Sequence, residues 1–202
     1  MFFTANTTLL DTTKLYLCVM ISKFIFTKIL RWKLVGAYPK DLKKFIVIGA
    51  PHTSWKDFHI GVLSRNMSGT KINFIAKKSL FKPPFGFIFK ALGGAPINRN
   101  ASSNKVDAIV ALFKEKESFR LALSPEGTRE KVTKWKTGFY YIAKKAQVPI
   151  VMLTFDFGQK QVKLSEPFYT TVSMENDFNV FYNYYKDVKG ANPELFNNKE
   201  IM

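Results

Sequence analysis

The sequence predicts an α/β fold with a mixed, largely parallel sheet flanked by helices on both faces. Three observations predict it. Phe45–Ala50 and Ile150–Phe155 are continuous runs rich in β-branched and aromatic residues, the pattern of strands buried on both sides. Stripes such as Val106, Ile109, Val110 and Phe113 recur at helical spacing between such runs, as one buried helix face requires. Glycine and proline punctuate the joints, at Gly36, Pro51, Gly93-Gly94 and Pro149. Strands alternating with helices of this length build βαβ units.

The first element, residues 14–34, reads as a helix rich in Leu, Ile and Phe. Lys14, Lys23, Lys28, Arg31 and Lys33 project around most of its wheel, so it is not a clean amphipathic helix. Two readings stand: its lysines snorkel while the apolar body lies in a lipid interface, with Arg31, Trp32 and Lys33 at headgroup level, or it packs on the domain. Leu15–Leu30 contains two lysines and falls short of the ~20 residues a spanning helix needs. Neither a membrane span nor a secretory signal is expected: Asp11 precedes the stretch and no small-residue cleavage pattern follows. The chain divides into residues 1–36, an apolar and basic segment suited to anchoring at a membrane, and a domain at 37–202.

Within the domain, the strand at 45–50 precedes a helix that Asp57 can cap and whose buried face takes Phe58, Val62 and Leu63. Lys71–Ala76 is a second strand. Pro83, Pro84 and Gly86 interrupt the chain before a short apolar helix that ends at Gly93-Gly94. Here Phe81, Phe85, Phe87, Ile88 and Phe89, with Lys82 and Lys90, read either as a loop dipping into a bilayer or as core. Ser102 or Ser103 caps the helix of the 106–113 stripe, and Phe119–Leu123 is a third strand. A helix with Phe139, Ile142, Ala143 and Ala146 leads to the strand at 150–155, and Val162–Leu164 forms a short edge strand. A last stripe, Phe178, Phe181, Tyr182 and Tyr185, has acids in its first turn and lysines near its last.

The net charge of +16 is uneven: residues 1–100 hold 16 basic and 3 acidic side chains, residues 101–202 hold 15 and 12. The N-terminal half is built to meet something negative, and charge alone leaves anionic lipid, nucleic acid and a polyphosphate or acidic protein open. A single cysteine, Cys18, excludes an internal disulfide and a thiolate metal cluster. His52 and His59, the two histidines, lack the spacing of a helical zinc site. No metal is expected.

If the strands at 45–50 and 119–123 run parallel, the loops that leave them open on the same carboxyl edge, where α/β sheets bind ligands. The first loop holds His52, with Asp57 five residues on. A carboxylate that accepts from one imidazole nitrogen fixes the tautomer and frees the other nitrogen to take a proton from a hydroxyl. Asp57 as a simple helix cap is the plainer reading. The second loop, Ser124-Pro125-Glu126-Gly127-Thr128-Arg129, sets exposed amides and a guanidinium where a phosphate can be held, or carries only a surface Glu/Arg pair.

Together, H-x-x-x-x-D at His52–Asp57 and E-G-T-R at Glu126–Arg129 resemble the glycerolipid acyltransferases, the 1-acylglycerol-3-phosphate (lysophosphatidic acid) acyltransferase superfamily. Three further segments fall in that family's order: Ala76-Lys77-Lys78-Ser79-Leu80 is similar to its A-K-x-E-L block, Gly93–Arg99 to its arginine block, and Val148–Val151 to its V-P-[IV]-x block. The resemblance covers residues 20–170; residues 1–19 lie outside it, and Met20 offers an alternative start. The chain departs from the pattern at Pro51, Ser79 and Asn98, where the family often has Asn, Glu and Asp.

The resemblance implies that residues 37–202 form an acyltransferase domain moving a fatty acyl group from acyl-CoA or acyl-ACP to the hydroxyl of 1-acylglycerol-3-phosphate or a related lysolipid, in phospholipid biosynthesis. It makes His52 the base and Asp57 its orienting partner. Lys77, Arg99, Glu126, Gly127, Thr128 and Arg129 become the acceptor-binding group. No cofactor is implied beyond the acyl donor, which is a substrate. The implied partners are a membrane surface with anionic lipid, a lysophospholipid and an acyl carrier protein, without nucleic acid, and the place is the cytoplasmic face of the membrane. Two other classes compete. One is a serine hydrolase or thioesterase using Ser124 or Ser54 beside His52, although neither serine lies in a G-x-S-x-G elbow; the other is a non-catalytic basic module for lipid or nucleic acid.

Overall fold

The computed structural model describes residues 16–97 and 105–197, with the side chains of 76–78, 96 and 97 outside that description. A helix, α1, runs over 16–24 and widens into a π-helical turn at Ile25–Ile29. It leads to β1 (Lys33–Val35), β2 (Lys44–Ala50) and α2 (Trp55–Ser68). Next come β3 (Asn73–Lys77), a 3-10 turn at Lys78–Phe81, α3 (Gly86–Ala91) and β4 (Gly94–Ile97). The second half holds α4 (Lys105–Glu115), β5 (Phe119–Leu123), α5 (Gly138–Ala146), β6 (Ile150–Asp156), β7 (Gln161–Leu164) and α6 (Met174–Tyr185).

The strands form one sheet in the order β1-β7-β6-β2-β5-β3-β4. Strands β6, β2, β5, β3 and β4 are mutually parallel, and β7 turns back antiparallel to β6 with β1 parallel to it. Side chains on β2 alternate between two cores. Ile46, Ile48 and Ala50 face a cluster with Phe113, Phe139, Ile142, Phe178 and Phe181 from α4, α5 and α6. Phe45 and Val47 face the opposite cluster, with Phe26 from α1 and Ile60 from α2. The period of 2 along a strand and helices on both faces give the expected three layers.

Four expectations change. The helix read over 14–34 ends at Ile29, because Arg31 adopts a left-handed φ of 57° and the chain turns to bury Trp32 edge-on to Phe157 at 4.9 Å. Residues 33–35 then form β1, so the edge position expected for Val162–Leu164 belongs to β1 instead. Gly36 closes this edge: its φ is +79° and a Cβ there would stand 2.6 Å from Leu164 O. The second strand begins at Asn73, not Lys71. On α2 the most buried positions are Asp57, Ile60 and Ser64, whereas Phe58, Val62 and Leu63 are half-buried and the first two line a cavity. The capping serines expected at 102 and 103 lie outside the described residues.

The sheet opens on one side. β2 pairs with β5 over five register positions, but β3 pairs with β5 only at Asn73–Leu121 and Phe74–Ala122. Beyond Phe74 the strands part, and Ile75, Ala122 and Leu123 line the space between them. Among the described residues no helix is long and apolar enough to cross a membrane.

Candidate active site

Parallel pairing of Ile48 with Leu123 brings the loops after β2 and β5 out side by side. The first loop leaves β2 through a cis Ala50-Pro51 peptide and enters α2 through a capping box. Ser54 Oγ accepts from the Lys56 N–H at 3.2 Å, and Asp57 Oδ2 accepts from the Ser54 N–H at 2.8 Å. The same Oδ2 lies 3.3 Å from His52 Nδ1, with Asp57 fully buried and the His52 side chain 21% exposed. Cap and histidine partner are therefore one carboxylate doing both jobs. An Nδ1–H donated to Asp57 leaves Nε2 as the acceptor.

The second loop locks onto the first. Glu126, 3% exposed, accepts the His52 backbone N–H on Oε2 at 2.7 Å. Burial pushes its carboxyl up to about 7, opposed by that hydrogen bond and reinforced by the charge of Asp57. Gly127 adopts a left-handed φ of 68°, and a Cβ there would meet Lys136 Nζ at 2.7 Å. Lys136 thus lies across Gly127, anchored by its N–H to Pro125 O at 2.8 Å. Arg129 stacks with its Cζ 3.8 Å from the centre of the Trp55 ring, a cation–π contact. Desolvation draws the Arg129 guanidinium below its ordinary value, against the pull of Asp57.

From the far side, the segment after α6 holds the histidine loop. The Asn192 N–H donates to Thr53 Oγ1 at 3.1 Å and its Nδ2 to Thr53 O at 2.8 Å. Deeper, Tyr185 donates to Ile48 O at 2.6 Å and accepts the Leu153 N–H at 3.1 Å, tying β2 to β6 just below the site.

A cavity of about 880 Å³ joins these groups. His52, Asp57, Thr128, Arg129 and Lys136 are among its polar lining, and Phe58, Phe74, Leu80, Phe89 and Phe155 among its apolar lining. Three buried atoms in these two loops and α2, Asp57 Oδ1, Glu126 Oε1 and Arg129 Nε, have no hydrogen-bond partner among the described residues. Orphaned buried polar atoms are rare in finished cores. No group of three His, Cys, Asp or Glu stands together as metal ligands would among those residues.

A family model described as Acyltransferase matches residues 35–156, a span that contains every site residue expected from the motifs. The chain belongs to the acyltransferase family. Over 103 residues it is 32% identical to 1-acyl-sn-glycerol-3-phosphate acyltransferase beta from Homo sapiens, a match covering 48% of this chain and only 37% of that protein. Its fold is similar to that of the 1-acyl-sn-glycerophosphate (LPA) acyltransferase PlsC from Thermotoga maritima, with a TM-score of 0.58 and 21% identity over 84% of this chain and 76% of that one.

In this acyltransferase-family chain the structure brings His52, Asp57, Glu126, Gly127, Thr128 and Arg129 to one edge. Lys77 ends β3, on the rim of the opened sheet, with its side chain outside the described residues. Arg99 lies outside them altogether. Trp55 and Lys136 escaped the sequence reading. Trp55 sits inside the His-to-Asp spacer and was open to notice; Lys136 reaches Gly127 only through the return of the 130–137 loop. The serines of the hydrolase reading are engaged in turns: Ser54 Oγ caps α2, and Ser124 Oγ accepts the Gly127 N–H at 3.4 Å.

Proposed function

We propose that this chain transfers a fatty acyl group from an acyl thioester, carried on coenzyme A or acyl carrier protein, to the free hydroxyl of 1-acylglycerol-3-phosphate or a related lysolipid. One observation carries the reading. The His52–Asp57 pair, joined at 3.3 Å, shares a single cavity with Arg129 and Lys136, and Phe58, Phe74, Leu80, Phe89 and Phe155 line the same cavity. Base, phosphate-binding cations and chain pocket are what a lysophosphatidate acceptor demands.

In this mechanism the acceptor phosphate sits against Arg129 and Lys136, and Glu126, Gly127, Thr128, Lys77 and Arg99 complete the acceptor-binding group. His52 Nε2 takes the hydroxyl proton as the oxygen forms a bond to the thioester carbonyl carbon. The tetrahedral adduct collapses, the carbon–sulfur bond breaks, and the thiolate recovers the proton from His52. Asp57 holds the imidazole in register. A thioester already has a good leaving group, so positioning supplies most of the acceleration and no covalent enzyme intermediate is needed.

The acceptor is a lipid, and the reaction belongs at a membrane surface with anionic lipid, on the cytoplasmic face, with residues 1–36 helping to hold the protein there. Exposed Tyr16, Leu17, Met20, Ile21 and Phe24 on α1, interspersed with lysine, support that placement. Mass spectrometry of the lipids formed from a panel of lyso-acceptors with acyl-CoA and acyl-ACP tests the reading. It expects a product whose mass equals acceptor plus acyl group less one hydrogen; free fatty acid as the sole product would return the hydrolase.

A further inference from the structure

The aromatic stretch around α3 divides by residue. Phe81 and Phe89 turn inward, with rings 6.2 Å apart and Phe89 6.1 Å from Phe58, and Phe58 and Phe89 line the cavity. Phe85, Phe87 and Ile88 turn outward, 64%, 70% and 41% exposed. Gly86 permits this: it is buried, and a Cβ there would stand 2.0 Å from Phe81 O, so only glycine lets α3 fold onto the preceding turn. One short helix thus carries a cavity wall on one face and bare apolar side chains on the other.

Two such phenylalanines side by side are not ordinary surface, and exposed apolar patches mark contact sites. Lys82 and Lys90, both exposed, bracket them in an N-terminal half with few acids. The end of α3 also adjoins α1: Cys18 shares a surface hollow with Ala91, Leu92 and Gly93. Helix α3, six residues long, measures about 9 Å, a depth that reaches the boundary between headgroups and acyl chains without spanning the core.

We propose that residues 82–90 are a membrane-docking element: Phe85, Phe87 and Ile88 enter an anionic phospholipid monolayer, Lys82 and Lys90 take its phosphates, and the apolar end of the cavity is thereby set against the bilayer, where an acyl chain enters past Phe89. The proposal rests on the lipid-substrate reading above. Its test needs no turnover, so the two fail separately. The full chain carrying Cys18→Ser and Phe87→Cys is labelled at 87 with an environment-sensitive nitrobenzoxadiazole dye and mixed with vesicles of phosphatidylcholine and phosphatidylglycerol. The expected result is a blue shift, a several-fold rise in emission, and quenching by lipids brominated near the headgroup end of the chain. A label that stays in water on sedimented, vesicle-bound protein overturns the proposal, as does failure to bind the vesicles. Independently, Phe85→Ser with Phe87→Ser lowers vesicle partitioning at least ~10-fold while leaving the melting temperature in place, since both side chains are exposed; unchanged partitioning also overturns it.

Discussion

The backbone N–H of His52 donates to Oε2 of Glu126 at 2.7 Å, across 74 residues of sequence. This single bond makes two loops into one site. It also commits one carboxylate oxygen to the scaffold and leaves Oε1 buried, without a partner among the described residues.

Glu126→Gln keeps a carbonyl oxygen for the His52 N–H, whereas Glu126→Ala leaves that donor without its partner. The alanine variant is expected to lose at least ~10-fold in turnover with a measurable loss of stability, and the glutamine variant to keep the fold. The carboxyl sits at about 7 against an ordinary 4.5, so between those pH values the folded chain holds a proton that the unfolded chain has released. Its contribution to stability is complete below pH 4.5 and is lost as pH rises through about 7. Denaturation midpoints across that window should slope downward more in the parent than in Glu126→Gln; equal slopes would refute the assignment.

Lys136→Ala should raise KM for a phosphate-bearing acceptor by about 10- to 100-fold, the loss of a charge-assisted contact, with a smaller change in kcat. A monoacylglycerol acceptor, which lacks phosphate, should be insensitive to it. Gly127→Ala should reproduce the KM effect by a different route, because a Cβ displaces Lys136 and strains a left-handed residue by about 1 kcal/mol. Steady-state kinetics with both acceptors checks the pair.

Tyr185→Phe removes the buried hydroxyl that joins Ile48 O and the Leu153 N–H. The expected loss is about 1–3 kcal/mol in chemical denaturation, with KM for both substrates held. A neutral substitution would show that the ring, packed on Trp135 at 5.3 Å, carries the site instead.

Gly61 of α2 lines the cavity, and a Cβ there would just touch Phe155 at 3.4 Å. Gly61→Leu should shorten the acyl chain accepted while gaining helix propensity, so the fold persists. The chain-length distribution of products reports it.

Much of this was legible beforehand because burial writes itself into period and composition. The runs at 45–50, 119–123 and 150–155 became central strands, and the stripes of α4, α5 and α6 became buried faces. β1 was not legible, since three residues with the exposure pattern out, half, out carry no strand signal and Trp32 reads like helix until its tertiary contact is known. β4 was hidden by Gly94 and by Pro96, which an edge strand tolerates. For the site, the family resemblance pointed to His52, Asp57 and the 126–129 loop, which the parallel pairing of β2 with β5 sets side by side. Lys136 could not be announced, because what places it over Gly127 is a loop return without periodicity.

We propose that His52, held by Asp57, takes the acceptor proton. The most direct test is the rate of acyl transfer by His52→Ala, measured by product mass on protein whose circular dichroism and melting match the parent. A loss of at least ~10²-fold is expected. Parental turnover in that variant would contradict the proposal.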